Sequence, residues 1–422
     1  MTTTHTALPG GYRVPRADKP IDSVDSLFSH LYDAARLELS TIPLYLYAAY
    51  SIKTDNVSQW SAGPGAFRLI KSVVVEEMLH LSLVRNLIVA IGRGDDIKFQ
   101  NPDFVPAYPS DMLHRVPRLE LDLAPLTTDL VKDVFMPLEL PAKVGAPGQS
   151  GEYQTIGQFY KAIYDGFERL CGVDPTAPTR HGPGDEQERE LFKHNRLDLQ
   201  YTNTYWNEGG GGEPIIVHDL YTALTAINVI VEQGEGMDPD QQEVSDNPDD
   251  PDKAKQGLFE FPHYVKFKRI ADGWELIGDV HPVPRNPRVA EYPEGPVRDL
   301  GQLACAAYTY VLALLDELYN TSGKDVKPGA TSARYGLERV FIAAMQGLLF
   351  GVIKELVRTT ITTGPYKGMQ AAPTFEYYEF PEGESMTRHL KELCERVVPH
   401  YPVLGGDNSV LWLISDQMPK DL

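Results

Sequence analysis

Cysteine is scarce. The chain has three in 422 residues (Cys171, Cys305 and Cys394), far apart and with no CxxC pair. That excludes a zinc knuckle or a disulfide scaffold and fits a reducing cytoplasm. Positive charge is also short: 39 Lys and Arg stand against 59 Asp and Glu, a formal net charge of −20. A chain without a basic footprint does not seek phosphate backbones, so nucleic acid is not an expected partner. Charge interrupts each apolar run before the roughly 18 residues a bilayer demands, so no membrane span is expected. The opening MTTTHTALPGGYRVPRADKP has no apolar core and reads as a polar arm over 1–20, not as a secretory leader. No glycine fingerprint for a dinucleotide follows a strand pattern, no EF-hand loop pattern occurs, and no segment repeats at a fixed period.

What is present is helical periodicity. Apolar residues recur every three or four positions over about 22–52, 66–91, 155–171, 217–233, 259–270, 299–321 and 333–362. Pro43 is expected to kink the first of these. Leu119–Leu123 alternates with period two and reads as a short strand. Between Glu235 and Asp252 there are eight acidic side chains and no basic one, the pattern of a solvated loop. The spacing predicts a mainly α fold: a bundle over 21–275 with long insertions at 95–215 and 234–257, then a C-terminal helical extension over 276–422.

Chemistry enters through acids placed where apolar residues belong. Val73, Glu77, His80, Val84 and Leu87 form one helical stripe, so a carboxylate and an imidazole sit one turn apart on a greasy face. A bare carboxylate buried there is costly unless something neutralises it, and Glu-x-x-His lets both side chains reach one metal ion. Taken singly, such a pair is usually a structural Glu–His hydrogen bond. It does not stand singly. Glu38 lies in the stripe of Leu31, Ala34, Ile42 and Tyr45, Glu232 ends AINVIV, and Glu260 with His263 forms a second Glu-x-x-His. The order Glu, Glu-x-x-His, Glu, Glu-x-x-His, one piece per helix, is what a dinuclear carboxylate site in a four-helix bundle needs. Its oxygen and imidazole donors suit iron or manganese. Two alternatives stay open: Glu76 for Glu77, and Glu235 near Glu232. Pro262 fits only in a helix's first turn, which would leave Glu260 at or before the cap. Tyr45, two turns along from Glu38, is a candidate to contact substrate or relay an electron, with core packing as the plainer reading.

LELSTIPLYLYAAYSI, VVVEEMLHLSLVRNLIVAIG, VFMPLELP, TIGQFYKAI, AINVIVEQGEG, HYVKFKRI and AAPTFE occur in that order. They resemble the ferritin-like iminophenyl-pyruvate dimer synthase family, which includes enzymes that oxidatively couple two indole-pyruvate imines beside an amino-acid oxidase. The resemblance implies a ferritin-like bundle with metal ligands at Glu38, Glu77, His80, Glu232, Glu260 and His263. It does not imply the indole substrate, because membership fixes the scaffold more than the substrate.

The sequence thus leads to a metal-dependent oxidase or oxygenase with two iron ions, manganese or haem being the alternatives. It would act with dioxygen or peroxide on a small amino-acid-derived or aromatic metabolite in natural-product biosynthesis, oxidative imine coupling included. Electrons would come from the substrate or a separate reductase, with a pathway amino-acid oxidase as a partner and a homodimer as the assembly. A non-catalytic iron-binding protein is the alternative.

Overall fold

The computed structural model describes residues 12–54, 64–111, 118–140, 153–176, 186–202, 212–234, 261–323 and 333–422. Glu260 and Glu235, with the acidic stretch 235–252, lie outside the described residues.

The first long helix, α1 (Val24–Ser51), starts where the Ser23 side chain accepts from the Ser26 amide, and it continues through Pro43 as one element. The Tyr108 hydroxyl donates to the Ser40 carbonyl, in the turn where Pro43 has no amide to offer. Against α1 lies α2 (Gly65–Ala90), and the two pack along their length. Both are almost wholly buried, Leu27, Leu31, Ala34 and Ala35 meeting Leu69, Val73, Leu83 and Leu87 in one apolar core.

Three further segments close this pair. A helical stretch over 128–138, α3, carries a five-residue π segment at Val131–Phe135. Such segments recur beside functional sites, and this one ends four residues before Glu139. Next, α4 (Ile156–Leu170) packs on α1, and α5 (Leu220–Gly234) packs on both α2 and α4. The short α6 (His263–Ala271) seats on α2 and α3. Its cap is Pro262 and His263 is its first residue. The Leu119–Leu123 alternation contributes one two-residue strand, β2 (Glu120–Leu121), paired antiparallel with β1 (Ser110–Asp111) so that Ser110 faces Leu121.

The C-terminal part begins with α7 (Pro296–Asn320), whose Tyr319 hydroxyl meets Ser82 of α2 at 2.8 Å. Then α8 (Ala333–Leu356) packs against α7, interrupted by a π segment at Ala344–Leu349. By length and composition α8 alone among the described helices is long and apolar enough to cross a membrane, a finding the charge pattern did not anticipate; a third of its most apolar window, 33%, is buried in the fold. Finally α9 (Met386–Val397) and α10 (Val410–Asp416) pack together, beyond the last helical period marked in the sequence.

One buried acid in this half has a measurable consequence. Burial raises the Glu338 carboxyl to about 7, although Arg334 and a hydrogen bond from Tyr201 oppose the shift. The folded state therefore keeps a proton that the unfolded chain gives up near pH ~4.3. The stability this adds is present below the unfolded value and lost as pH rises through the folded one. Glu338→Gln is expected to flatten that loss, so urea midpoints should favour the variant at about pH 8 and converge at about pH 5. A wild type that is the more stable at the higher pH would refute the assignment.

Candidate metal centre

Helix geometry brings the sequence stripes together. Glu38 of α1, Glu77 and His80 of α2, His263 of α6 and Glu139 just after α3 are all buried, none more than 4% exposed. Two groups can each hold an ion: Glu38, Glu77 and His80, and Glu77, Glu139 and His263, with ligand atoms in each group within 4.8 Å of one another. Glu77 belongs to both groups.

The imidazoles are turned for ligation. His80 has Gln233 Oε1 3.0 Å from its Nε2. That fixes its Nδ1 toward the cluster, 3.5 Å from Glu38 Oε2 and 3.9 Å from Glu77 Oε2. His263 has Glu76 Oε2 3.0 Å from its Nε2. Its Nδ1 lies 3.0 Å from Glu77 Oε1 and 3.6 Å from Glu139 Oε1. That ring nitrogen is buried and directed between two carboxylates. Glu76 also takes the ammonium of the wholly buried Lys266. Glu76 thus pairs with His263 and Lys266, whereas Glu77 is the acid that lies in both donor groups.

Two tyrosines hold the carboxylates from outside. Tyr45 donates to Glu139 and Tyr160 of α4 donates to Glu38. Burial and the neighbouring carboxylates keep both phenols far above their ordinary value, so they remain donors. Thr41 Oγ1 sits 2.8 Å from Glu77 Oε2.

The electrostatics reflect crowded negative charge. Burial pushes Glu77 well above the usual carboxylate range, with Glu139 and Glu38 adding to the rise against His263. Burial raises Glu38 too, but His80 outweighs it and the carboxyl ends below its ordinary value. His263 is driven well above the ordinary imidazole value: burial lowers it, and Glu139, Glu76 and Glu77 more than compensate. Carboxylates this close cannot all be charged unless protons or cations are shared among them. A set of oxygens and imidazole nitrogens that trades protons for cations suits iron or manganese.

Of the expected ligands, Glu38, Glu77, His80 and His263 converge. Glu232 does not: the buried face of α5 runs Ala223, Ile227, Ile230, Gly234, and Glu232, two residues past Ile230, falls on the opposite, exposed side. What α5 sends to the centre is Gln233, one residue on. The unforeseen member is Glu139, from no predicted helix. Its only advance signal was its place inside VFMPLELP.

A pocket of about 20 Å³ lies over the cluster. Leu37, Ile156, Gly157, Ile230, Val231 and Gly234 wall it beside Glu38, Thr41, Glu77, His80 and Glu139.

Comparison with known proteins bears on the family and the fold. A ferritin-like family model matches residues 31–272. Dichlorochromopyrrolate synthase of Lentzea aerocolonigenes is 27% identical over 87% of this chain and 37% of its own length. A 2-imino-3-(indol-3-yl)propanoate dimerase of Chromobacterium violaceum is 26% identical over 96% of this chain and 39% of its own. The chain thus spans well under half the length of these relatives. A solved structure of a ferritin-like protein from Caulobacter vibrioides superposes with a TM-score of 0.50 and 22% identity, covering 86% of this chain and 100% of that one, a likeness of fold.

Proposed function

The chain belongs to the ferritin-like family, and from that premise we propose that it is a di-iron oxidative enzyme of natural-product biosynthesis, with Glu38, Glu77, His80, Glu139 and His263 as ligands. Its relatives are biosynthetic enzymes, which supports an oxidative biosynthetic role. The observation that carries the metal reading is the pair of buried donor groups sharing Glu77, with His263 Nδ1 set between Glu77 and Glu139.

Iron, when bound, supplies the electron-transfer chemistry of dioxygen or peroxide. The chain supplies the rest. Glu76 and Gln233 fix both imidazoles with Nδ1 inward, the outer partners that tune ligand basicity. Tyr45, expected to touch substrate, is assigned instead as a positioning residue: its hydroxyl is committed to Glu139, and it does not line the pocket. Leu37, Ile230 and Val231 keep bulk water from the cluster.

The substrate is a small amino-acid-derived or aromatic metabolite, and oxidative coupling of imines is the reaction the relatives favour. Its two-electron oxidation would be matched by reduction of dioxygen to hydrogen peroxide or of peroxide to water. An amino-acid oxidase is the natural supplier of an imine.

Anaerobic loading with ferrous iron tests this. Elemental analysis should return about two irons per chain, the number this ligand pattern holds. Admitting oxygen or peroxide should then consume it. Iron bound without any consumption would favour a non-catalytic iron-binding protein, and no iron bound would end the proposal.

A further inference from the structure

A larger cleft lies in the C-terminal part, between α8, the turn Pro402–Leu404 and α10, and holds about 320 Å³. Proteins bind small organic molecules in volumes of roughly 300–1,000 Å³, so this one is of ligand size. Two glycines build it. A Cβ at Gly347 of α8 would lie 2.8 Å from Leu413 Cδ2, and one at Gly351 would lie 2.8 Å from Val410 Cγ2. Without side chains there, α10 approaches the α8 backbone closely. Three and seven residues past Gly351 the cleft meets Lys354 and Arg358. Packing alone calls for apolar residues at those steps. Two long cations instead give the cleft a charged wall. The turn and α10 contribute Val403 and Trp412, which are 62% and 38% exposed, so the apolar side is open to solvent.

The charges do not cancel. Glu355 is the one acid in the lining, and it lies 3.6 Å from Arg358 Nη1. Lys354 is exposed and makes no ion pair among the described residues. The cleft thus joins an aromatic surface to a net positive charge, on a chain whose formal net charge of −20 repels anions elsewhere. We propose that it is a second binding site, for a small aromatic carboxylate, with the ring on Trp412 and the carboxylate on Lys354 and Arg358. It shares no residue with the pocket at the metal centre, and the proposal does not rest on the dimetal reading.

Calorimetric titration of the intact chain with 2-naphthoate and with uncharged naphthalene-2-methanol separates charge from shape. Naphthoate should saturate at one per chain, and the alcohol should bind about tenfold more weakly or worse. Lys354→Met should bring naphthoate down to the level of the alcohol, and Lys354→Arg should retain it. Trp412→Ala should weaken both compounds by about tenfold. Both positions are on the surface, and unchanged urea midpoints will show that the fold is not the cause. Glu77→Ala should bind naphthoate as the wild type does, whatever its metal content. Equal binding of the two compounds overturns the proposal, as does wild-type affinity in Lys354→Met or Trp412→Ala. Naphthoate lost with Glu77→Ala would place the ligand at the metal centre instead. A dimer that Trp412→Ala dissolves would seat a second copy of the chain in the cleft, and either result refutes the assignment.

Discussion

Glu77→Ala is expected to cut bound metal from about two ions per chain to one or none, the largest loss any single ligand substitution should cause. The reason is membership. Glu77 is in both donor groups, so its removal leaves Glu38 with His80 on one side and Glu139 with His263 on the other. Two donors apiece hold a divalent ion poorly. Glu38→Ala spares the group of Glu77, Glu139 and His263 and should cost about one ion. Glu139→Ala should do the same from the other side. Glu232→Ala serves as the control: its side chain is exposed on α5, and metal content should not change. Elemental analysis after anaerobic loading and desalting reads all four. Two ions retained by Glu77→Ala would mean the donors are not the ones assigned.

How much of this centre was legible follows from how each residue declares itself. Glu77 and His80 are one turn apart in an apolar stripe of a long helix, and a carboxylate there has no bland reason to be buried. Glu38 declares itself the same way in α1. His263 was found by spacing to Glu260, which lies outside the described residues; His263 itself is the first residue of its helix. Glu232 misled because it ends the largely apolar run AINVIV, yet the exposed Asn228, four residues earlier, marks the outward face that Glu232 shares, while Ile227 and Ile230 pack inward. Glu139 was invisible to periodicity because it follows a short π-interrupted segment between Pro137 and Pro141. Periodicity cannot find a ligand that reaches the bundle from a crossover. The bundle itself was readable because α1 and α2 are long and their apolar stripes unambiguous; the small helices α9 and α10 offered too few turns to stand out.

The buried lysine beside the centre sets up the second large effect. Lys266→Met should destabilise the fold by about 3–5 kcal/mol, the usual consequence of leaving one member of a buried ion pair without its partner. Lys266 is fully buried and Glu76 is 3% exposed, so water cannot replace the lost ammonium. The pair holds opposing tendencies in balance: burial lowers Lys266 while Glu76 raises it, and burial raises Glu76 while His263 and Lys266 lower it. With Lys266 gone, the buried Glu76 takes up a proton and no longer holds the His263 Nε2 proton as a carboxylate. Stability and metal affinity should therefore fall together, the latter by about 10–100-fold, as is usual when a ligand histidine loses its outer partner. The double substitution Glu76→Gln/Lys266→Met separates the two effects. It removes both charges, so urea unfolding should recover most of the lost stability. It also leaves His263 facing a neutral amide, so metal affinity should stay low. If the double variant recovers both, Glu76 supports only the fold; if it recovers neither, the pair is not the isolated unit that the hydrogen-bond geometry describes.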